Sequence, residues 1–520
     1  MPTKSPAHLA EEIVAFDHLD RARQAQCRQQ IESLAEADEP HVERLLDALL
    51  AKAAGASEPR TDRLLAAVFE QLGRRYRPPG QDASGGAALS GQRVAQLAEL
   101  YRRLGAASNV RHHLLRVLAA AGGDLALETF VDCVVSDPPS DARHADLAFA
   151  PLFQQRRLAM AAVFPRLLAG IENPATAVQI LDIANVATRR RAVEVHPAAG
   201  RFDQLLSLFS GLVNHLQDLE YKPSEYADTP RQLGETISRS VELMIALSQA
   251  LALIGDDRAI GRLRQAMELS HRRVRIEAAS ALATLGDSEG AEMLIELAAD
   301  PVSRCRAIRY LEEIGLRDRV PEEQRTVAAM AEGELAAWLA EPSGFGLAPH
   351  EIELIDHRVQ HWPGYDDPQD CFLFAYAYHL PGGALQGVGI AGPVVHAFST
   401  DLSDLEVADI YAMYAGWHAS HTSDEDVAAE NFSASDHHRA DEAAAELESI
   451  GYDNVRIERL GRFLGEEVAV AAAQVAGESG VVISCGDRLQ WFADTQQKLR
   501  LRPDELYCLF KGQAMLAAFN

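Results

Sequence analysis

Apolar side chains through the first two thirds of the chain return every three to four residues, the spacing of one helical face. Within residues 241–315 that pattern itself repeats. Leu251, Ile254 and Gly255 come back as Leu282, Leu285 and Gly286, then as Leu311, Ile314 and Gly315, at offsets of 31 and 29 residues. Ala250-Leu251-Ala252 aligns with Ala281-Leu282-Ala283, and Leu263 aligns with Leu294. Each copy predicts a helix ended by a glycine, where a side chain would resist left-handed backbone. Asp256 and Asp287 then stand where the next helix needs an N-cap. Val274, Ala278, Leu282 and Leu285 fall on one face, and Ala279, Ala281 and Ala283 are small enough for a close neighbour. One such helix pair cannot bury its apolar stripe. Stacked copies can, and they form a rod with an extended concave surface.

Helical spacing also runs through the residues before this stretch, broken by irregular segments at 77–91 and 221–230. There only residues 117–131, with Gly122-Gly123-Asp124, echo the repeat. After one more helix at 322–339, Glu341-Pro342-Ser343-Gly344-Phe345-Gly346 marks a domain boundary. Beyond it the period changes. Phe372, Phe374, Tyr376, Tyr378 and Leu380 alternate, as a strand requires, and Pro381-Gly382-Gly383 turns into a returning strand over 388–398. Ser403 and Glu406 make a capping box for a helix to about Ala419. A second helix carries Ala440, Ala443, Ala444, Leu447 and Ile450 and stops at Gly451. Short strands come next at 455–463, 468–475 and 481–485, and Pro503 opens a last helix. The expected architecture is multidomain: an all-α solenoid over residues 1–340, a linker at 341–349, and an α+β domain with an antiparallel or mixed sheet over 350–520.

The run Ala-Leu-Ala-x-Leu/Ile-Gly-Asp, followed by a second apolar helix, resembles the HEAT-repeat family over about residues 241–316. It is similar in particular to the short HEAT-like units also found in phycobilisome lyases. The resemblance implies an α-solenoid and a binding surface lined by the second helix of each pair. It implies no chemistry, because such arrays serve many unrelated functions. The region after residue 349 resembles no family in this way.

Charge narrows the partners. The formal net charge is −27, and residues 345–520 carry 28 Asp and Glu against 10 Lys and Arg. A surface of that sign repels phosphate backbones and argues against nucleic acid. The simplest account of it is solubility. The six cysteines (Cys27, Cys133, Cys305, Cys371, Cys485 and Cys508) show no C-x-x-C spacing, so neither a disulfide framework nor a zinc ribbon is expected. Residues 1–16 lack the apolar core of a signal peptide, and no run reaches about 20 apolar residues. Cytoplasmic localisation without membrane contact is the expectation.

Against this acidic background the repeats are locally basic. Nine arginines lie between residues 258 and 309, against seven acids. Arg272, Arg273 and Arg275 open one second helix, Arg304 and Arg306 lie at the equivalent place one repeat on, and Arg309 follows them. They are read either as a solvated helix face or as a groove for acidic partners. The acidic segments 401–409 and 424–430 of the same chain are one occupant such a groove would suit. Trp417, with Trp338 and Trp362, is a candidate aromatic anchor.

Motifs for chemistry are weaker. Gly387-Val388-Gly389-Ile390-Ala391-Gly392 spells a dinucleotide fingerprint, but Pro393-Val394-Val395 stands where a helix should start. A glycine-rich strand pressed against a helix fits better. Asp436-His437-His438 matches a phosphoesterase signature without the further Asp and His motifs such sites need, so Asp436 is read as a helix cap. His418 and His421, three apart near a helix end, have metal-ligand spacing; they are equally placed to favour the helix dipole. No cofactor is implied. The function expected is a non-enzymatic interaction scaffold with a regulatory or second binding domain. The alternative is an enzyme, either bilin-lyase-like or with a metal or acid–base site after residue 349.

Overall fold

Gly255, Gly286 and Gly315 take φ of 77°, 84° and 73°, so each repeat does end on left-handed backbone. Asp287 N–H reaches back to the Leu282 carbonyl at 3.0 Å and Leu316 N–H to Leu311 at 2.7 Å, the bond that closes a Schellman turn. Asp256 and Asp287 then cap the next turns by accepting from Arg258 N–H and Glu289 N–H, both at 3.0 Å.

The computed structural model describes residues 6–493 apart from short stretches, the longer being 53–58, 77–88, 155–159, 223–229, 342–345 and 399–404. The capping serine expected at 403 and the helix expected from Pro503 lie outside it. The chain forms two units, Met1–Met293 and Leu294–Asn520.

The first unit is helical throughout: α1 (Pro6–Val14), α2 (Arg21–Glu32), α3 (Glu39–Lys52), α4 (Pro59–Tyr76), α5 (Gly91–Arg103), α6 (Arg111–Ala121), α7 (Asp124–Ser136), α8 (Ala142–Gln154), α9 (Met160–Val163), α10 (Ala177–Arg189), α11 (Phe202–Tyr221), α12 (Pro230–Ile254), α13 (Ile260–Met267), α14 (Arg272–Thr284) and the start of α15 (Ser288–Leu297). These stack in two rows. One holds α3, α5, α7, the 3-10 turn Arg166–Glu172, α11 and α13. The other holds α4, α6, α8, α10, α12 and α14. One apolar cluster runs between the rows from Leu9 to Leu282. The repeat is therefore geometric well before residue 241, although its sequence signature is not. Residues 232–254 of α12 have the length and hydropathy of a membrane span, yet α12 packs within the stack against α10, α11 and α14.

The second unit begins with α16 (Pro301–Glu313) and α17 (Val327–Ala340), then β1 (Glu351–Gln360), β2 (Gln369–Leu380), β3 (Gly383–Ala391), β4 (His396–Phe398), α18 (Val407–Thr422), β5 (Glu425–Ala428), α19 (Ala434–Ile450), β6 (Asp453–Phe463), β7 (Glu466–Val475), β8 (Glu478–Cys485) and β9 (Arg488–Ala493). It holds two antiparallel meanders, β1-β2-β3-β4 and β5-β6-β7-β8-β9. The alternation in β2 serves two cores. Phe372, Phe374, Tyr376 and Tyr378 pack with Leu335 and Leu339 of α17, while Cys371 and Leu373 pack with Ile410, Tyr411 and Tyr414 of α18. Thus α17, expected as the last helix of the array, also covers a sheet. Leu447 of α19 covers the second sheet through Ile457, Leu460, Ala471 and Val482.

Two local expectations change and a third holds. The return over 388–398 is two strands, with Gly392 after the end of β3 at φ 127°, where a β-carbon would collide with the Asp370 carbonyl. The cap of α19 is Ser433; Asp436 supplies the other half of a capping box, bonding back to Ser433 N–H at 2.9 Å. The dinucleotide-like run lies in β3, where a β-carbon on Gly389 would come within 2.8 Å of both Leu335 methyl carbons. That is the glycine-rich strand against a helix.

Candidate interaction surfaces

The arginines at the start of α14 sit where the helix dipole disfavours them. Arg272 and Arg273 are exposed and Arg275 is half-buried. Arg275 lines a groove of about 400 Å³ with Arg264, Met267, Leu269, Glu289 and Met293. Arg264 is neutralised there by Asp287 at 2.7 Å and Glu289 at 2.9 Å. The Arg275 guanidinium instead points a nitrogen at the Met293 thioether sulfur at 3.5 Å, and no carboxylate pairs with it among the described residues.

Arg304 has another role. It is 6% exposed and donates to the Ala298 carbonyl at 3.2 Å, the Ala329 carbonyl at 2.8 Å and Glu332 at 2.5 Å. It ties α16 to α17 and is unavailable to a partner. Its equivalence to the α14 arginines in sequence does not extend to exposure, because α17 packs over α16. Arg306 is half-buried; Arg309 is exposed and lies 5.3 Å from the Tyr310 ring centre. Of the acidic segments named as occupants, residues 401–404, 424 and 430 are outside the description.

The second row holds groups that sequence inspection missed. Gln179 of α10 is 5% exposed and donates to Asp146 of α8 at 2.5 Å. Beside them the Asp182 carboxyl is pushed up to about 6 by burial, with Arg189 opposing and Asp146 and Glu242 of α12 adding. Nothing in the sequence links three acids carried on three successive row helices. Asn185 of α10 donates to the Ala246 carbonyl of α12 at 3.0 Å and accepts from His196 Nε2 at 3.0 Å, while His196 Nδ1 accepts from Ala198 N–H. Both ring nitrogens are used in the neutral tautomer, and burial holds His196 down at about 4.

In the second unit, Trp417 is half-exposed and stacks on His396 with ring centres 3.7 Å apart; Trp338 meets the same imidazole edge-on at 5.1 Å. Trp362, in contrast, is 3% exposed and belongs to the core under α18. Two of the three tryptophans expected as anchors therefore share one patch. His418 lies 6.3 Å from both Trp362 and Tyr365, ring centre to ring centre. The His421 side chain is outside the description. Among the described residues no group of three or more His, Cys, Asp or Glu is placed to hold a metal ion.

A family model described as HEAT repeats matches residues 235–322. No curated protein matches the chain. The matched residues span α12 to α16 and contain the left-handed glycines, the aspartate caps and the groove at Arg275. Residues 235–322 are a HEAT-repeat segment, and stacked helices continue before it through the first unit.

Proposed function

We propose that this chain is a protein-interaction scaffold and that the groove between α13, α14 and α15 is a docking point. Stacked helix pairs of this family commonly present surfaces to other proteins. The observation that carries the reading is Arg275, a guanidinium in a methionine-lined groove with a thioether in place of a carboxylate. Arginine at a helix start costs about 0.3–1 kcal/mol of dipole energy, which a bound carboxylate would reverse. Methionine adapts to varied apolar shapes. The partner segment suited to this groove carries an acidic side chain next to an apolar one. A cytoplasmic setting is part of the proposal and is supported by Cys133, Cys305 and Cys371, which are free thiols.

Photo-crosslinking tests it. A photoreactive phenylalanine replaces Met293 in the full chain, and another replaces the exposed Leu125 as control. The groove position should yield discrete protein adducts that the control lacks, weakened at least fivefold by Arg275→Ala and by high salt. Identical adducts from both positions, or adducts indifferent to Arg275→Ala, would remove the groove from the reading.

A further inference from the structure

Three imidazoles meet where α6 packs on α8. His112 and His113 of α6 have ring centres 4.1 Å apart, and His144 of α8 stacks on His112 at 4.5 Å with planes 11° apart. His112 is 7% exposed. The Nδ1 atoms of His112 and His113 are both buried without a hydrogen-bond partner. His144 differs: its Nδ1 lies 3.2 Å from Asp141 and 3.0 Å from Ser140 Oγ.

Neutral rings can stack in this way. A protonated ring would place a charge in an apolar joint, facing two further imidazoles. The charged groups around the trio do little to offset it. Arg116 of α6 opposes protonation of both His112 and His113, Asp141 favours it at His112, and Glu70 of α4 favours it at His113. The Arg111–Asp137 pair closes the start of α6 and is not among the principal groups acting on either ring. A proton is therefore taken up most readily once α6 and α8 separate and water reaches the rings. Such separation changes the spacing of the second row, in which α4, α6, α8 and α10 stand in sequence.

We propose that the α6–α8 joint is a proton-operated hinge in the helical stack, closed while His112 and His113 are neutral and opened by mild acid. This goes beyond the scaffold reading and does not depend on it, since the groove at Arg275 is built from other helices. Burial, with His113 and His144 adding, holds His112 down at about 3 in the closed joint. A hydrated imidazole titrates near 6.5, so linkage favours opening roughly 25-fold more at pH 5 than at pH 7 from His112 alone. His113 is lowered as well, chiefly by burial, and acts in the same direction.

Amide hydrogen exchange on the full chain at pH 7 and pH 5, corrected for the chemical exchange rate, measures this. Opening in α6 and α8 should rise by about 25-fold, and at least fivefold more than in α13, which carries no histidine. His112→Phe keeps a flat ring without a titrating nitrogen and should remove the His112 share of the difference, leaving only the part due to His113; His112→Gln serves the same purpose if the phenylalanine misfits. If α6 and α8 respond less than fivefold more than α13, or if a folded His112 variant keeps the wild-type response, the hinge is wrong. Should neither variant fold, the wild-type comparison alone decides.

Discussion

Replacing Gly290 by alanine sets two effects against each other. Gly290 lies in α15, where alanine favours the helix by about 1 kcal/mol. A β-carbon there would stand 2.5 Å from the Ala279 carbonyl oxygen, 2.5 Å from Ala283 N and 2.6 Å from the Leu282 β-carbon. These atoms belong to α14 itself and cannot swing aside as a side-chain tip would. The helices must part by roughly 1 Å, and forced overpacking costs about 1–3 kcal/mol, with the upper end fitting a backbone clash. The net expectation is a loss of about 1–2 kcal/mol in the first unit. Gly211 of α11 is the control, because its β-carbon would meet nothing within 4 Å, and Gly211→Ala should gain about 1 kcal/mol. Urea unfolding followed by far-UV circular dichroism separates the two by opposite shifts in midpoint. All four tryptophans, Trp338, Trp362, Trp417 and Trp491, fall in the second unit, so their fluorescence provides an internal reference. If Gly290→Ala stabilises as much as Gly211→Ala, the close approach of α14 and α15 is not real.

Arg304→Ala should cost about 3–5 kcal/mol in the second unit, because it strands the Glu332 carboxylate and two buried carbonyls; tryptophan fluorescence would report it, and a loss no larger than that of the exposed Arg309→Ala would contradict the structural role. Asp182 is raised above its ordinary value, so its charged form is penalised above about pH 6 and the penalty fades as pH falls towards 3.8. Asp182→Asn should therefore stabilise by on the order of 2 kcal/mol at pH 7.5 and by about half that at pH 5. A benefit independent of pH would show that the carboxyl is not enclosed.

Helix ends and repeat boundaries were legible because their cause is local. A left-handed glycine and an aspartate cap act within a few residues, so the turns at Gly255 and Gly286 could be read from the sequence, and so could the strand in which Phe372 to Tyr378 alternate. β1 was not legible. It is an edge strand with Glu351, Glu353, Asp356 and Arg358, and half-exposed or exposed along its whole length, so no apolar alternation marks it. The helix pairs before residue 241 stack like the later ones without sharing their signature, because packing needs only volume and spacing. In the groove, Arg275 stands out from its place in the repeat. Its methionine and leucine neighbours do not, since the lining residues come from three different helices and the turns between them.

The amino-acid order alone determined the α-solenoid, its HEAT-like unit, the change to strands after residue 341 and the acidity of the domain beyond that point. Each of these is a property of neighbours along the chain. Only tertiary packing decided which arginines are exposed. Arg304 and Arg275 stand in closely similar sequence settings, yet Arg304 is covered by α17 and paired with Glu332, while Arg275 lies beside a thioether. Packing likewise collected Asp146, Asp182 and Glu242, and the rings of His112, His113 and His144, from helices far apart in the chain. The physical reason is that charge and burial are set by what lies across a helix joint, and no periodicity along one helix specifies its neighbour.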